Sequence, residues 1–174
     1  MGLFNATNQW FALVMFLPGL LGQVVLPMLS ESMGANNDVR SQRILQLTVL
    51  ANAAVVVPLV LVGSLASPWL MSLYGEGFAP SWQMLVISLI TAGVLAVQSP
   101  ISQSLNAEGR LWTTLFLNLG WAAVFVGLTF CFIDRGATGL VSARLIAYLF
   151  QSVLIVLLVF RLSRNRGRLL EVST

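Results

Sequence analysis

Hydrophobic residues fill this chain in long blocks, and the polar residues that interrupt them fall into short, regularly spaced connections. Residues 1–30, 44–75, 77–107, 111–133 and 145–160 contain no Asp, Glu, Lys or Arg. A helix crosses ~30 Å of hydrocarbon with about 20 predominantly apolar residues. The blocks therefore predict five spans, over residues 5–29, 44–67, 82–105, 112–133 and 139–160. Backbone groups inside a bilayer must be satisfied within the segment, so apolar runs of this length are read as helices. The expected fold class is all-α, a polytopic transmembrane helical bundle of about five spans. Its membrane domain covers residues 1–160, and residues 161–174 form a basic tail.

Within the spans, Pro18, Pro58 and Pro100 each remove a backbone hydrogen bond, which makes them candidate conformational hinges. Residues 30–43 are the most polar stretch and are expected to lie outside the hydrocarbon as a connection. A helix over residues 44–73 would be about 45 Å long, more than the hydrocarbon requires. Ser67-Pro68-Trp69 is expected to end that span, leaving residues 70–74 as an interfacial turn with Trp69 and Tyr74 at headgroup depth.

Composition narrows the class further. Charged residues make up 9% and hydrophobic residues 57%, where a soluble domain carries about 25% charge, and mean hydropathy is +0.89. The net charge is only +3 and is spread over several connections, so no basic face for a nucleic acid can form. Cys131 stands alone and there is no His, so neither a disulfide framework nor an ordinary transition-metal ligand set is available. No metal and no cofactor are expected. No carboxylate pair has an acid–base arrangement, and the chain is expected not to be an enzyme. The first apolar run has no positive residue before Arg40, the wrong flank for a cleaved signal peptide, so it is read as a retained span.

Charge position also predicts orientation. All nine basic residues are Arg. Alternate connections collect Arg40, Arg43, Arg110, Arg161, Arg164, Arg166 and Arg168 on one side, against Arg135 and Arg144 on the other. An excess of Arg marks the cytoplasmic side, so the C-terminus is expected inside. Five spans then put residue 1 outside, with no positive flank to direct the first helix inward, and preceding helices are expected to be missing.

Arg144 is the one charge forced towards the bilayer, because Leu145 to Phe160 make only about 24 Å of helix. Its planar fork suits a phosphate or carboxylate in a cavity; alternatively it snorkels to lipid phosphates one turn away. Gln98, Ser102 and Asn106 share a helical face at i, i+4 and i+8, with Ser99 and Gln103 on the adjacent stripe. Such groups are costly in lipid, so they are expected to face other helices or water. One reading has them hydrogen-bonding a polar ligand in a cavity; the other has them bonding between helices and repairing the backbone freed by Pro100. Asn5, Asn8 and Gln9 sit where polar residues are usual, at the start of a span. The substrate-binding candidates are thus Arg144, Gln98, Ser102 and Gln103.

The connections carry a resemblance. Gly2-Leu-Phe-Asn5, Pro27-Met-Leu-Ser30, Leu73-Tyr-Gly-Glu-Gly-Phe78, Asn106-Ala-Glu-Gly-Arg110 and Gly136-Ala-Thr-Gly139 occur in this order. The chain so resembles the C-terminal part of polysaccharide biosynthesis membrane proteins. These are the O-antigen and teichoic-acid flippases of the multidrug/oligosaccharidyl-lipid/polysaccharide exporter superfamily. The resemblance implies a multi-pass protein of the cytoplasmic (inner) membrane, with two helical lobes around a cavity. It implies translocation of a lipid-linked oligosaccharide by alternating access, with Arg144 at its pyrophosphate or a sugar carboxylate and Gln98, Ser102 and Gln103 at sugar hydroxyls. This chain would supply most of one lobe and need the missing N-terminal lobe or a partner chain. The rival expectation is a non-transporting membrane module, a remnant or an assembly partner of polysaccharide-synthesis proteins.

Overall fold

The computed structural model describes the backbone of residues 2–35 and 37–171, and the side chains of residues 2–35, 37, 39–159 and 161. Six α-helices follow in order: α1 (Gly2–Gly34), α2 (Asp38–Leu65), α3 (Ser67–Ser72), α4 (Trp82–Ala107), α5 (Leu111–Cys131) and α6 (Gly136–Glu171). Five of them are long and apolar enough to cross a membrane. The expected all-α polytopic bundle is the observed architecture, and the described residues contain no strand.

The helices outrun the spans at their ends. Residues 30–43, expected as a connection, are mostly helical: α1 continues to Gly34 and α2 starts at Asp38, where the Asn37 side chain accepts a hydrogen bond from the Arg40 amide at 3.0 Å. This cap satisfies an orphan N–H of the first turn and lets a polar sequence begin a helix. Ser41 Oγ, donating to Ser32 Oγ at 2.9 Å, closes the two helices into a hairpin. A helix of 33 residues is about 50 Å long, so its polar ends extend past the hydrocarbon instead of ending at it. Likewise α6 begins at Gly136 and its backbone is helical to Glu171. The side chains of Arg164, Arg166 and Arg168 in the expected basic tail, and residues 172–174, lie outside the described residues.

Ser67-Pro68-Trp69 does end the second span, by starting a new short helix with proline in its first turn. On the loop that follows, the Tyr74 hydroxyl donates to Gln9 Oε1 at 3.0 Å, which ties this end of the bundle to the start of α1. The α4–α5 turn closes differently. Gly109 adopts φ +72°, the Arg110 amide donates to the Leu105 carbonyl and the Gly109 amide to the Asn106 carbonyl, each at 3.0 Å. That is a Schellman cap, and the left-handed residue in it is one a side chain would strain.

Helix α4 is the centre of the bundle. Half of its apolar stretch is buried, whereas that of α5 is almost wholly exposed, and it packs on α1, α2 and α6. Leu85, Leu89, Ala92 and Ala96 of α4 meet Phe11 and Val14 of α1, Val56 of α2, and Leu70 and Met71 of α3. Leu105, Leu117 and Ile155 make a second cluster where α4, α5 and α6 converge. Small residues at the crossings allow this: Ala92 and Ala96 are fully buried, and Gly93 faces Val56 and Val60. In lipid, close packing of this kind takes over the role that water exclusion plays in soluble proteins.

All three hinge candidates lie inside unbroken helices: Pro18 in α1, Pro58 in α2 and Pro100 in α4. Pro18 and Pro100 are fully buried and Pro58 is exposed. Pro100 leaves the Ala96 carbonyl without its helical donor, and Asn52 of α2 supplies one, its Nδ2 donating at 2.9 Å. The shorter bond to that carbonyl thus comes from α2, and the Ser99 hydroxyl beside the proline donates to it as well, at 3.5 Å.

Candidate functional site

The polar stripe of α4 opens into a cleft. Gln98, Ser99, Ser102, Gln103 and Asn106 line one side of a cavity of about 420 Å³, and Asn118 and Trp121 of α5 with Tyr148 and Gln151 of α6 line the other. The spacing on α4 explains the first half: residues one turn apart project together. The second half comes from α5 and α6, each of which carries polar side chains on the side turned to α4.

A hydrogen-bonded chain crosses the three helices. Ser152 Oγ donates to Gln98 Oε1 at 2.5 Å, Gln98 Nε2 donates to Gln151 Oε1 at 3.2 Å, and Gln151 Nε2 donates to Asn118 Oδ1 at 3.0 Å. Gln98 and Gln151 are buried, while Asn118 is exposed at the mouth. The chain therefore runs from the interior outward. Gln98 both lines the cleft and bonds between helices. Its bond to Ser152 also forms a wall, because these two residues line a second groove of about 540 Å³ between α2, α4 and α6. That groove is otherwise apolar, with Val56, Val60, Val94, Val97 and Ile155 on its sides.

Other polar atoms in the cleft have no partner. Gln103 Oε1 and Trp121 Nε1 are buried and make no hydrogen bond. Gln103 Nε2 lies against α1 at Gly22, where there is no room for a Cβ. The Trp121 ring is fixed by stacking on Phe125 at 5.4 Å and by Tyr148 at 5.0 Å, so its N–H edge has a set position. An unsatisfied buried donor or acceptor costs about 1–3 kcal/mol. The residues lining the cleft carry one of each, a pair that suits a hydroxyl, which both donates and accepts.

Arg144 stands apart from the other three candidates. It is not among the residues lining the cleft; it lies one turn before Tyr148, which is. Its Nη1 donates to Asn8 Oδ1 at 3.0 Å, and its guanidinium sits 3.7 Å from the centre of the Phe11 ring. Gln98, Ser102 and Gln103 are thus brought together, and Arg144 instead clasps α6 to α1. Asn8, read from the sequence as an ordinary polar residue at the start of a span, is its partner.

Sequence reasoning missed Asn52, Asn118, Gln151 and Ser152. The available signal is that Asn52 and Asn118 stand singly and Gln151-Ser152 as a pair in apolar runs, which is expensive in lipid unless they find partners. Among the described residues no group of three His, Cys, Asp or Glu side chains gathers to hold a metal ion.

Fold and cleft define a polytopic α-helical membrane protein with a polar, uncharged cleft among its spans. The chain is similar to the EPS I polysaccharide export inner membrane protein EpsE of Ralstonia solanacearum, 24% identical over 163 residues, 88% of this chain and 36% of that protein. It is 23% identical over 140 residues, 78% of this chain and 31% of the relative, to the protein of the same name from Ralstonia nicotianae. The chain spans roughly a third of the length of the curated relatives it matches. No protein-family model and no solved structure matches it.

Proposed function

We propose that the chain is one helical lobe of an inner-membrane polysaccharide exporter, a flippase that moves lipid-linked oligosaccharide across the cytoplasmic membrane by alternating access. The observation that carries this reading is the similarity, over 88% of the chain, to an EPS I polysaccharide export inner membrane protein. The cleft supports it, since amides and hydroxyls at membrane depth are what a sugar head group requires of a route through lipid. The task is translocation without covalent chemistry, and the chain acts with a further helical lobe or partner chain that closes the other side of the route. The C-terminus lies in the cytoplasm, the side favoured by the seven Arg residues gathered at that end.

The test is disruption of the gene in its own host. Loss of surface polysaccharide, with lipid-linked precursor building up on the inner leaflet, is the expected result. Unchanged surface polysaccharide overturns the export reading. Loss of both polysaccharide and precursor points instead to an assembly partner of the synthesis proteins and overturns the flippase reading.

A further inference from the structure

Every residue lining the cleft is formally uncharged: its polar members are amides, hydroxyls and an indole. The nearest cation along α6, Arg144, is not part of this lining and turns to Asn8 and Phe11 of α1. A carboxylate or phosphate taken into such a cleft would lose its water and gain no counter-charge from the lining, at a cost of several kcal/mol. A sugar hydroxyl avoids the charge penalty, and its smaller desolvation cost is offset if it pairs with the donor and acceptor that residues of the cleft carry. Gln103 Oε1 lacks a donor and Trp121 Nε1 lacks an acceptor. Asn118, which receives the last bond of the Ser152–Gln98–Gln151 chain, keeps its own amide nitrogen without a partner among the described residues. The volume of about 420 Å³ lies in the range of roughly 300–1,000 Å³ typical of small-ligand sites.

From this we infer that the cleft between α4, α5 and α6 is a subsite for an uncharged sugar unit. Gln103 and Trp121 engage one hydroxyl, and Asn118 meets the ring at the mouth. The inference rests on the export reading and deepens it: this lobe reads the neutral part of the head group, and any anionic group is held elsewhere. Both unpaired atoms are sealed in the present conformation, so entry of the sugar turns the flexible Gln103 amide away from Gly22 and into the cleft.

The experiment places the full chain in phosphatidylcholine nanodiscs and uses a diazirine-labelled glucosyl diacylglycerol as probe. Unlabelled glucosyl diacylglycerol, glucuronosyl diacylglycerol and plain diacylglycerol serve as competitors. The expected result is crosslinking to α4, α5 or α6, competed by the glucosyl lipid about tenfold better than by the glucuronosyl lipid. Gln103→Leu and Trp121→Phe should each weaken binding about fivefold. Trp121→Phe keeps the ring against Phe125 and Tyr148, so it serves if Gln103→Leu fails to fold. Equal or better competition by the glucuronosyl lipid overturns the inference and leaves the export reading standing. Competition by plain diacylglycerol as strong as by either glycolipid overturns both. Binding unchanged by Trp121→Phe overturns the assignment of the indole N–H.

Discussion

Asn52 reaches from α2 to the carbonyl of Ala96 in α4, at 2.9 Å, and that carbonyl is the one Pro100 cannot serve. Proline at position i has no N–H for the carbonyl at i−4, and a bare carbonyl in hydrocarbon is costly. Ser99 donates to it from within α4 at 3.5 Å, but the shorter bond comes from the neighbouring helix, so a local defect in α4 becomes a specific contact between α2 and α4. Asn52 is buried and its other polar atom, Oδ1, is unpaired, which leaves the Ala96 contact as its main role.

A double-mutant cycle follows from that contact. Asn52→Leu should lower the stability of the chain in mixed micelles by about 1 kcal/mol, within the range measured for hydrogen bonds between membrane helices. In a Pro100→Ala background the helix regains its own donor, and the same substitution should cost much less. Equal losses in both backgrounds, read from denaturing-detergent titrations, would show that Asn52 serves packing alone.

Arg144 links α6 to α1 through Asn8 and the face of Phe11. A partly desolvated cation over a ring is worth about 0.5–2 kcal/mol. Arg144→Gln and Phe11→Leu should therefore each destabilise by about 1 kcal/mol, and together by clearly less than the sum of the two. Strict additivity, from the same titrations, would return Arg144 to the snorkelling role in which its head group meets only lipid phosphates.

The two cases show what is legible in the sequence. Gaps between charges mark the five spans, because hydrocarbon thickness sets a length that a run of residues either meets or does not. The i, i+4, i+8 spacing of Gln98, Ser102 and Asn106 puts them on one face, because helix geometry is local. The partners are not local. Whether Gln98 meets Gln151 or Asn52 meets Ala96 depends on the rotation and depth of separate helices, set by contacts such as Ala92, Ala96 and Gly93 in the α4 interface. Arg144 could be placed near the bilayer edge from length alone, yet its choice of α1 over lipid required the packed bundle. The polar stretch over residues 30–43 has the same limit: its polarity reports depth in the membrane and says nothing about where a helix stops.

Gly22 of α1 has the Gln103 side chain where a Cβ would be. Gly22→Ala should therefore push the Gln103 amide aside at a cost of about 1 kcal/mol, the low end for overpacking, because the displaced group is the far end of a flexible chain. Gly22→Ala combined with Gln103→Ala should recover most of the loss. No recovery would mean that the α1 and α4 backbones themselves clash.

Orientation can be read with reporters fused after Arg43, Phe78, Arg110, Gly136 and Arg168. The Ser32–Ser41 bond places the α1–α2 connection at one end, and the Tyr74–Gln9 bond places the following loop with the start of α1 at the other. The first, third and fifth fusions should therefore agree with one another and differ from the second and fourth. Cytoplasmic signals from the odd set are expected from the Arg distribution. Periplasmic signals from that set would invert the whole chain.

If the cleft is a route for a hydrated head group, water must reach it. In a Cys131→Ser background, needed because Cys131 is exposed, Ser102→Cys and Asn118→Cys test the cleft, while Phe116→Cys and Leu119→Cys test the apolar exposed surface of the same helix, α5. Only the thiolate reacts with a methanethiosulfonate reagent, and an apolar surrounding suppresses the thiolate. The cleft positions should therefore be modified about tenfold faster or more than the lipid-facing ones by a charged, membrane-impermeant reagent. The comparison within α5 is the decisive one, since Asn118 lies between Phe116 and Leu119 in sequence and differs from them in the face it occupies. Equal rates at the three α5 positions would mean that Asn118 meets lipid as its neighbours do, and that the amide chain ending on it closes a helix contact instead of opening onto a sugar.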